Sequence, residues 1–220
     1  DGGAGNDTLN FGNFTNTTEL TLNTGGAINF ENITGSGGSE TIKGDANANI
    51  LAGAGGADTL YGYAGNDILA GSNRGMPTLD RVADWDTGDN DSWNDENNTG
   101  NNTLYGGAGD DKLYGGYFDD TLDGGAGADT LSGGNGIDPF VIRAGDGGSA
   151  ITDADTLTSF TDGTDIIGMS GLNYSDLTVE QGSGDYSSHV VVKKTDSGEF
   201  LLIIQSQNIS NINDSDFSAI

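Results

Sequence analysis

The sequence predicts an all-β repeat fold of short strands and tight turns, on three observations. Glycine supplies 39 of the 220 residues, proline 2 and cysteine none; turns needing positive φ are therefore plentiful, and disulfides are excluded. Acidic residues outnumber basic ones 34 to 7, for a net charge of -27. So acidic a chain is either disordered or folded around cations. The third observation favours folding: glycine, aspartate and leucine recur every nine residues.

Written in nines, the chain aligns on Gly-Gly-x-Gly-x-Asp-x-U-x, where U is a large apolar residue. Strict copies start at Gly2, Gly106, Gly124 and Gly133. One run of degenerate copies starts at Gly35 and continues at Gly44, Gly53 and Gly62. A second starts at Asn97 and passes through Gly106, Gly115, Gly124 and Gly133, giving ten copies in all. Glycine at the first, second and fourth positions permits positive φ and lets carbonyls converge without a Cβ clash. Aspartate at the sixth position supplies a hard carboxylate at the end of the turn. Two residues on, Leu60, Leu69, Leu104, Leu113, Leu122 and Leu131 read as inward members of three-residue strands. A coil this small buries no face alone and must stack on its neighbours. Carboxylates and carbonyls, with no cysteine and a single histidine, suit a hard cation, and calcium better than magnesium.

This nonapeptide resembles that of the RTX (repeats-in-toxin, hemolysin-type calcium-binding) family. The resemblance implies a parallel β-roll, a calcium-binding solenoid with 18 residues per coil, in which each ion lies between turns two repeats apart. Carried onto this chain, the side-chain ligands are Asp7, Asp58, Asp67, Asn102, Asp111, Asp120, Asp129, Asp138, Asp155 and Asp165. The backbone ligands fall in the turns Gly53 and Gly55; Gly62; Gly106, Gly107, Ala108 and Gly109; and Gly115, Gly116 and Tyr117. They continue in Gly124, Gly125, Ala126 and Gly127, and in Gly133, Gly134, Asn135 and Gly136. Asp111 should pair with Asp129, Asp120 with Asn102 and Asp138, Asn49 with Asp67, and Glu40 with Asp58. Asp146 is a further, weaker candidate. Glu40, Asn49, Asn47 and Phe118 depart from the pattern. On this reading Asp120→Ala should weaken calcium-dependent folding most, Asp111→Ala less, and Glu40→Ala hardly at all.

Stacked acidic turns about 5 Å apart repel one another unless cations lie between them. Six calcium ions would bring roughly +12 against the net negative charge. Folding and calcium uptake then form one equilibrium. Extracellular calcium modules bind at roughly 10⁻⁴ to 10⁻³ M, so the chain should stay unfolded in a cytosol and fold outside the cell.

The expected organisation is a partial repeat and Asn/Thr-rich β lead-in over 1–34, a first repeat block over 35–70, and an acidic insertion over 71–96. A second block over 97–141 and a capping region over 142–220 follow. The piece FENITGSGGSETI resembles the family's lead-in, and the segment from Ile151 its post-repeat segment, with Asp155 and Asp165 closing the last turns. Val190–Lys194 and Phe200–Gln205 read as a hairpin forming a C-terminal antiparallel β cap. Ile50, Ala52, Ile68 and Ala70 form an outward apolar patch that another segment should cover. The ending NDSDFSAI resembles a type I secretion signal, or is an ordinary final strand.

Seven basic residues cannot provide a nucleic-acid footprint. The longest apolar run, Phe200–Ile204, is too short to span a membrane, and Asp1–Asn10 shows no signal peptide. No HExxH, GxSxG or Walker lysine occurs, and His189 stands alone, so no enzyme is expected. Asp1 falls at the ninth position of a repeat. The expectation is therefore a C-terminal piece of a larger secreted bacterial protein, partnered by upstream domains of the same polypeptide and by type I secretion machinery. The alternative is a module that binds a polysaccharide or a cell surface through Trp85, Trp93 and outward-facing Tyr61, Tyr105 and Tyr114.

Overall fold

A computed structural model describes residues 3–11, 19–22, 30–71 and 100–220. Within these, β1 (Thr8–Asn10), β2 (Glu19–Thr21) and β3 (Asn32–Thr34) form the lead-in. The strands β4 (Thr41–Lys43), β5 (Ile50–Ala52), β6 (Thr59–Ala64) and β7 (Ile68–Ala70) follow. The second block supplies β8 (Thr103–Ala108), β9 (Lys112–Tyr117), β10 (Thr121–Ala126), β11 (Thr130–Asn135) and β12 (Pro139–Ile142). Beyond it lie β13 (Asp155–Leu157), β14 (Ile166–Met169), β15 (Leu177–Gln181), β16 (Val190–Lys194), β17 (Phe200–Ile204) and β18 (Phe217–Ala219).

Successive strands alternate between two sheets. One has the order β1-β3-β5-β7-β9-β11-β13-β17-β16-β15, the other β18-β14-β12-β10-β8-β6-β4-β2. Pairing is parallel throughout the stack, with partners one coil apart, as in Thr121 beside Thr103 and Thr130 beside Lys112. The fold is a parallel β-roll. Among the named strands, antiparallel pairing is confined to β15 with β16 and β16 with β17, which close the end of one sheet.

The inward residue of each strand builds the core. Ile33, Leu51, Leu69, Leu113, Leu131 and Leu157 line up along one sheet. Ile42, Leu60, Leu104, Leu122, Phe140 and Ile167 face them from the other, and all twelve are fully buried. Such in-register stacking lets coils that could not fold singly bury one continuous column.

Four features depart from or extend the sequence reading. The strands β6 and β8 to β11 run for six residues rather than three, because pairing continues into the turn, as in Gly125 beside Gly107 and Ala126 beside Ala108. The two repeat blocks form a single roll: β6 pairs with β8 and β7 with β9, with Thr59 beside Thr103 and Ile68 beside Lys112. The cap has three antiparallel strands, with β15 added to the expected hairpin. The C-terminal NDSDFSAI contributes β18, which pairs with β14 and buries Phe217. Ala52 and Ala70 of the expected apolar patch are buried, and Ile50 and Ile68 half-buried. Apart from Gly71, the 71–96 segment with Trp85 and Trp93 lies outside the described residues.

Candidate metal centre

From Asp58 and Asp67 onward, each sixth-position side chain sits where a turn meets its strand and reaches one coil back. Its Oδ1 accepts the backbone N–H of the sixth residue in the preceding coil. In one column Asp58 accepts from Glu40 at 2.8 Å, Asn102 from Asp58 at 2.9 Å, Asp120 from Asn102 at 2.6 Å and Asp138 from Asp120 at 2.9 Å. Asp165 ends that column by accepting from Asp138 at 3.1 Å. In the other, Asp67 accepts from Asn49 at 2.8 Å, Asp111 from Asp67 at 2.7 Å, Asp129 from Asp111 at 2.8 Å and Asp155 from Asp129 at 3.0 Å. The pairs expected within each block are thus brought together. Sequence reasoning missed the pairs that join the blocks, Asp58 with Asn102 and Asp67 with Asp111, because the intervening segment breaks the nine-residue count.

The second carboxylate oxygen carries the chemistry. Oδ2 of Asp58, Asp67, Asp111, Asp120, Asp129, Asp138 and Asp155 is buried without a hydrogen-bond partner, as is Oδ2 of Asp7. Buried charged oxygens are otherwise nearly always paired, because leaving one bare is costly. Burial pushes the carboxyls of Asp58, Asp67, Asp120 and Asp129 up to about 7 and that of Asp138 up to about 6. It also raises Asp111, Asp165 and, well above its ordinary value, Asp155. Neighbouring carboxylates add to the rise, as Asp129 does at Asp155. These oxygens call for a proton or a cation.

Backbone carbonyls converge on the same places. A Cβ on Gly106 would lie 2.5 Å from the Gly124 carbonyl oxygen and also strike Asp111 Oδ2, so that carbonyl and that carboxylate share one small space. Carbonyls of Gly53, Gly62, Gly115 and Gly133 approach the preceding coil in the same way, and those of Gly107, Gly109 and Gly116 face the next coil. The third-position carbonyls are engaged: Ala108 accepts from Gly65 and Ala126 from Gly109, each at 2.9 Å. Gly55 donates to Ser36, Tyr117 lies beside Asn135 in the sheet, and Gly125, Gly127, Gly134 and Gly136 hold positive φ. Among the described residues, no three His, Asp or Glu side chains are placed to hold a metal by themselves. The oxygens that do gather belong to carboxylates and carbonyls in mixture, the donor set that suits calcium.

Three assignments change. Asn102 was expected to supply a ligand oxygen, but its Oδ1 accepts from Asp58 while its Nδ2 donates to Asp120 Oδ1 at 3.0 Å, so it turns an N–H toward the cradle. Asp146 is the ion-pair partner of Arg143, which also holds Asp123. Glu31, absent from the expected ligands, takes the sixth-position place in the lead-in: its Oε2 accepts the Asp7 N–H at 2.8 Å. Its signal was present in Glu31-Asn32-Ile33, which has the Asp-x-U form with glutamate. Tyr61 and Tyr105 stack on each other with centroids 5.0 Å apart and planes 7° apart. Their facing sides are thereby occupied.

The model of the RTX calcium-binding nonapeptide repeat matches residues 1–17, 34–72, 98–116 and 113–138, in four copies. The matched residues are RTX calcium-binding repeats. Among solved structures this chain is similar to the AlgE6R3 subunit of the mannuronan C5-epimerase from Azotobacter vinelandii, with 23% identity and a TM-score of 0.31, over 82% of this chain and 78% of that one. It is similar also to the extracellular lipase LipA from Serratia marcescens, with 15% identity and a TM-score of 0.36, over 91% of this chain and 42% of that one. No curated protein matches it. Among the described residues no helix is long and apolar enough to cross a membrane.

Proposed function

We propose that the chain is a calcium-dependent folding module, whose RTX turns close into a stable roll as calcium is taken up outside the cell. The row of buried, unpartnered Oδ2 atoms carries this reading. Asp58, Asp67, Asp111, Asp120, Asp129, Asp138 and Asp155 would hold the ions, together with first-position carbonyls such as those of Gly106 and Gly124. Bound calcium supplies positive charge where the stacked carboxylates otherwise repel. The module serves a larger secreted protein that leaves the cell unfolded by a type I route, and it has no catalytic activity of its own. Circular dichroism of the chain in chelator and in millimolar calcium tests the proposal. It predicts little β-structure in the first and a full β signal in the second; equal spectra would refute it.

A further inference from the structure

The two repeat blocks meet at a seam. Bonded sixth-position residues are 44 apart there, against 18 within each block, so the chain inserts 26 residues between neighbouring coils. The two sides of the seam differ in chemistry. On one, Asp58 donates to Asn102 Oδ1, and a Cβ on Gly71 would lie 2.6 Å from the Asn102 amide nitrogen. That amide is satisfied by Asp120. This side pairs one carboxylate with an amide, so that only Asp58 Oδ2, beside the Gly71 carbonyl, is left there for a cation. On the other, Asp67 donates to Asp111 Oδ1, yet the Oδ2 atoms of both residues are buried and unpartnered. The Gly106 carbonyl approaches Asp67 there, 2.6 Å from where a Cβ on Gly62 would stand.

We propose that Asp67 and Asp111, with the Gly106 carbonyl, form a calcium site that joins the two blocks, and that β4 to β7 dock onto β8 to β12 only when this site is filled. The inference rests on the calcium reading above and adds a hierarchy to it. Closing a longer loop costs additional chain entropy, which no turn inside a block has to offset. At the seam only the Asp67–Asp111 side has two carboxylates with which to recruit a cation against that cost. The first block is therefore the last to dock as calcium rises.

Hydrogen exchange over a calcium series, read separately on β4–β7 and β8–β12, tests this in three full-length preparations. They are the natural chain, Asp67→Asn, and Asp67→Asn with residues 72–97 removed, which restores the 18-residue spacing. Asparagine keeps the Oδ1 acceptor for Asn49. In Asp67→Asn the calcium concentration for half-protection of β4–β7 should rise severalfold while that of β8–β12 stays put. Removing 72–97 should bring the first block back toward the natural value. An equal shift of both blocks, no shift, loss of protection everywhere, or failure of the excision to restore docking would each overturn the seam proposal. The last outcome would place the effect at the Asn49–Asp67 turn instead. Calcium-independent protection of the natural chain is a separate result, which would remove the calcium reading itself.

Discussion

Asp111 donates its backbone N–H to Asp129 Oδ1 at 2.8 Å, and its own Oδ1 accepts from Asp67 at 2.7 Å. It therefore has a carboxylate neighbour on both sides. Asp120 has one, Asp138, and on its other side the amide of Asn102. The ranking read from the sequence, with Asp120 above Asp111, is reversed by these contacts. Asp111→Ala should raise the calcium midpoint for folding most, and Asp120→Ala less. Glu40→Ala should not be silent, because buried Glu40 accepts from the Ser36 N–H at 3.1 Å and its hydroxyl at 2.5 Å. Each substitution strips an acceptor from a buried donor, a loss on the order of 1–3 kcal/mol before any effect on calcium. Calcium titrations of the three variants by circular dichroism give the order.

Protons should substitute for calcium. Carboxyls raised to about 7 at Asp58, Asp67, Asp120 and Asp129 ionise less readily in the folded chain than in the unfolded one, near 3.8. With calcium absent, the folded state binds more protons than the unfolded state between those values, so stability falls as pH rises from about 4 to about 7. In chelator the β signal should be greater at pH 4.5 than at pH 7.5. With calcium present the midpoint should fall as pH rises over the same range, since protons and cation compete for the same oxygens. A calcium midpoint unchanged between pH 5 and 7.5 would contradict this.

The close stacking of turns gives a test that needs no metal argument. Gly109 has φ +132°, and a Cβ there would run into the Gly65 carbonyl of the coil below. Gly145 has φ +98° with nothing within 4 Å of the added carbon. Alanine at either position meets backbone strain of about 1–2 kcal/mol, but only at Gly109 must coils also move apart. Gly109→Ala should thus lower the melting temperature at saturating calcium much more than Gly145→Ala. Equal losses would mean that strain alone, and not coil spacing, sets the requirement for glycine.

What the sequence made legible was whatever kept the nine-residue count. The leucine columns, the in-block aspartate pairs and the ends at Asp155 and Asp165 all follow from local period and residue type. What escaped it depends on distance in the chain. Asp67 and Asp111 each hold the sixth position of a nonapeptide, but 44 residues separate them, and they meet only because the strands on either side of the inserted segment resume the same register. Glu31 escaped because its longer side chain and its 24-residue offset from Asp7 disguise a sixth-position role. Asn102 was misread because an amide and a carboxylate have the same shape, and only the donor and acceptor geometry separates them. The third cap strand, β15, escaped because Leu177–Gln181 is half-buried to exposed and lacks a strong apolar alternation.

Among the described residues, Arg143 should prove the most important cation that the chain itself provides. It follows β12 and grips Asp123 through both guanidinium arms, at 2.9 and 2.5 Å, while its backbone N–H donates to Asp146 Oδ2 at 3.0 Å. Asp123 and Asp146 are both buried, and burial holds the Asp146 carboxyl up at about 6 even beside Arg143. Removing the arginine leaves two buried carboxylates without their countercharge, which costs more than the ion pair itself contributes. Because Arg143 is about a third exposed, solvent screens part of that cost, and about 2 kcal/mol is expected for Arg143→Leu. The double change Arg143→Leu with Asp123→Leu should recover part of the loss, since the buried charge goes with its partner. Melting at saturating calcium keeps the turns filled and isolates this cluster. The deficit of the single variant should shrink as pH falls below about 6, where Asp146 takes up a proton. A deficit that does not depend on pH, with no recovery in the double variant, would show that Arg143 acts through packing of its stem and not through charge.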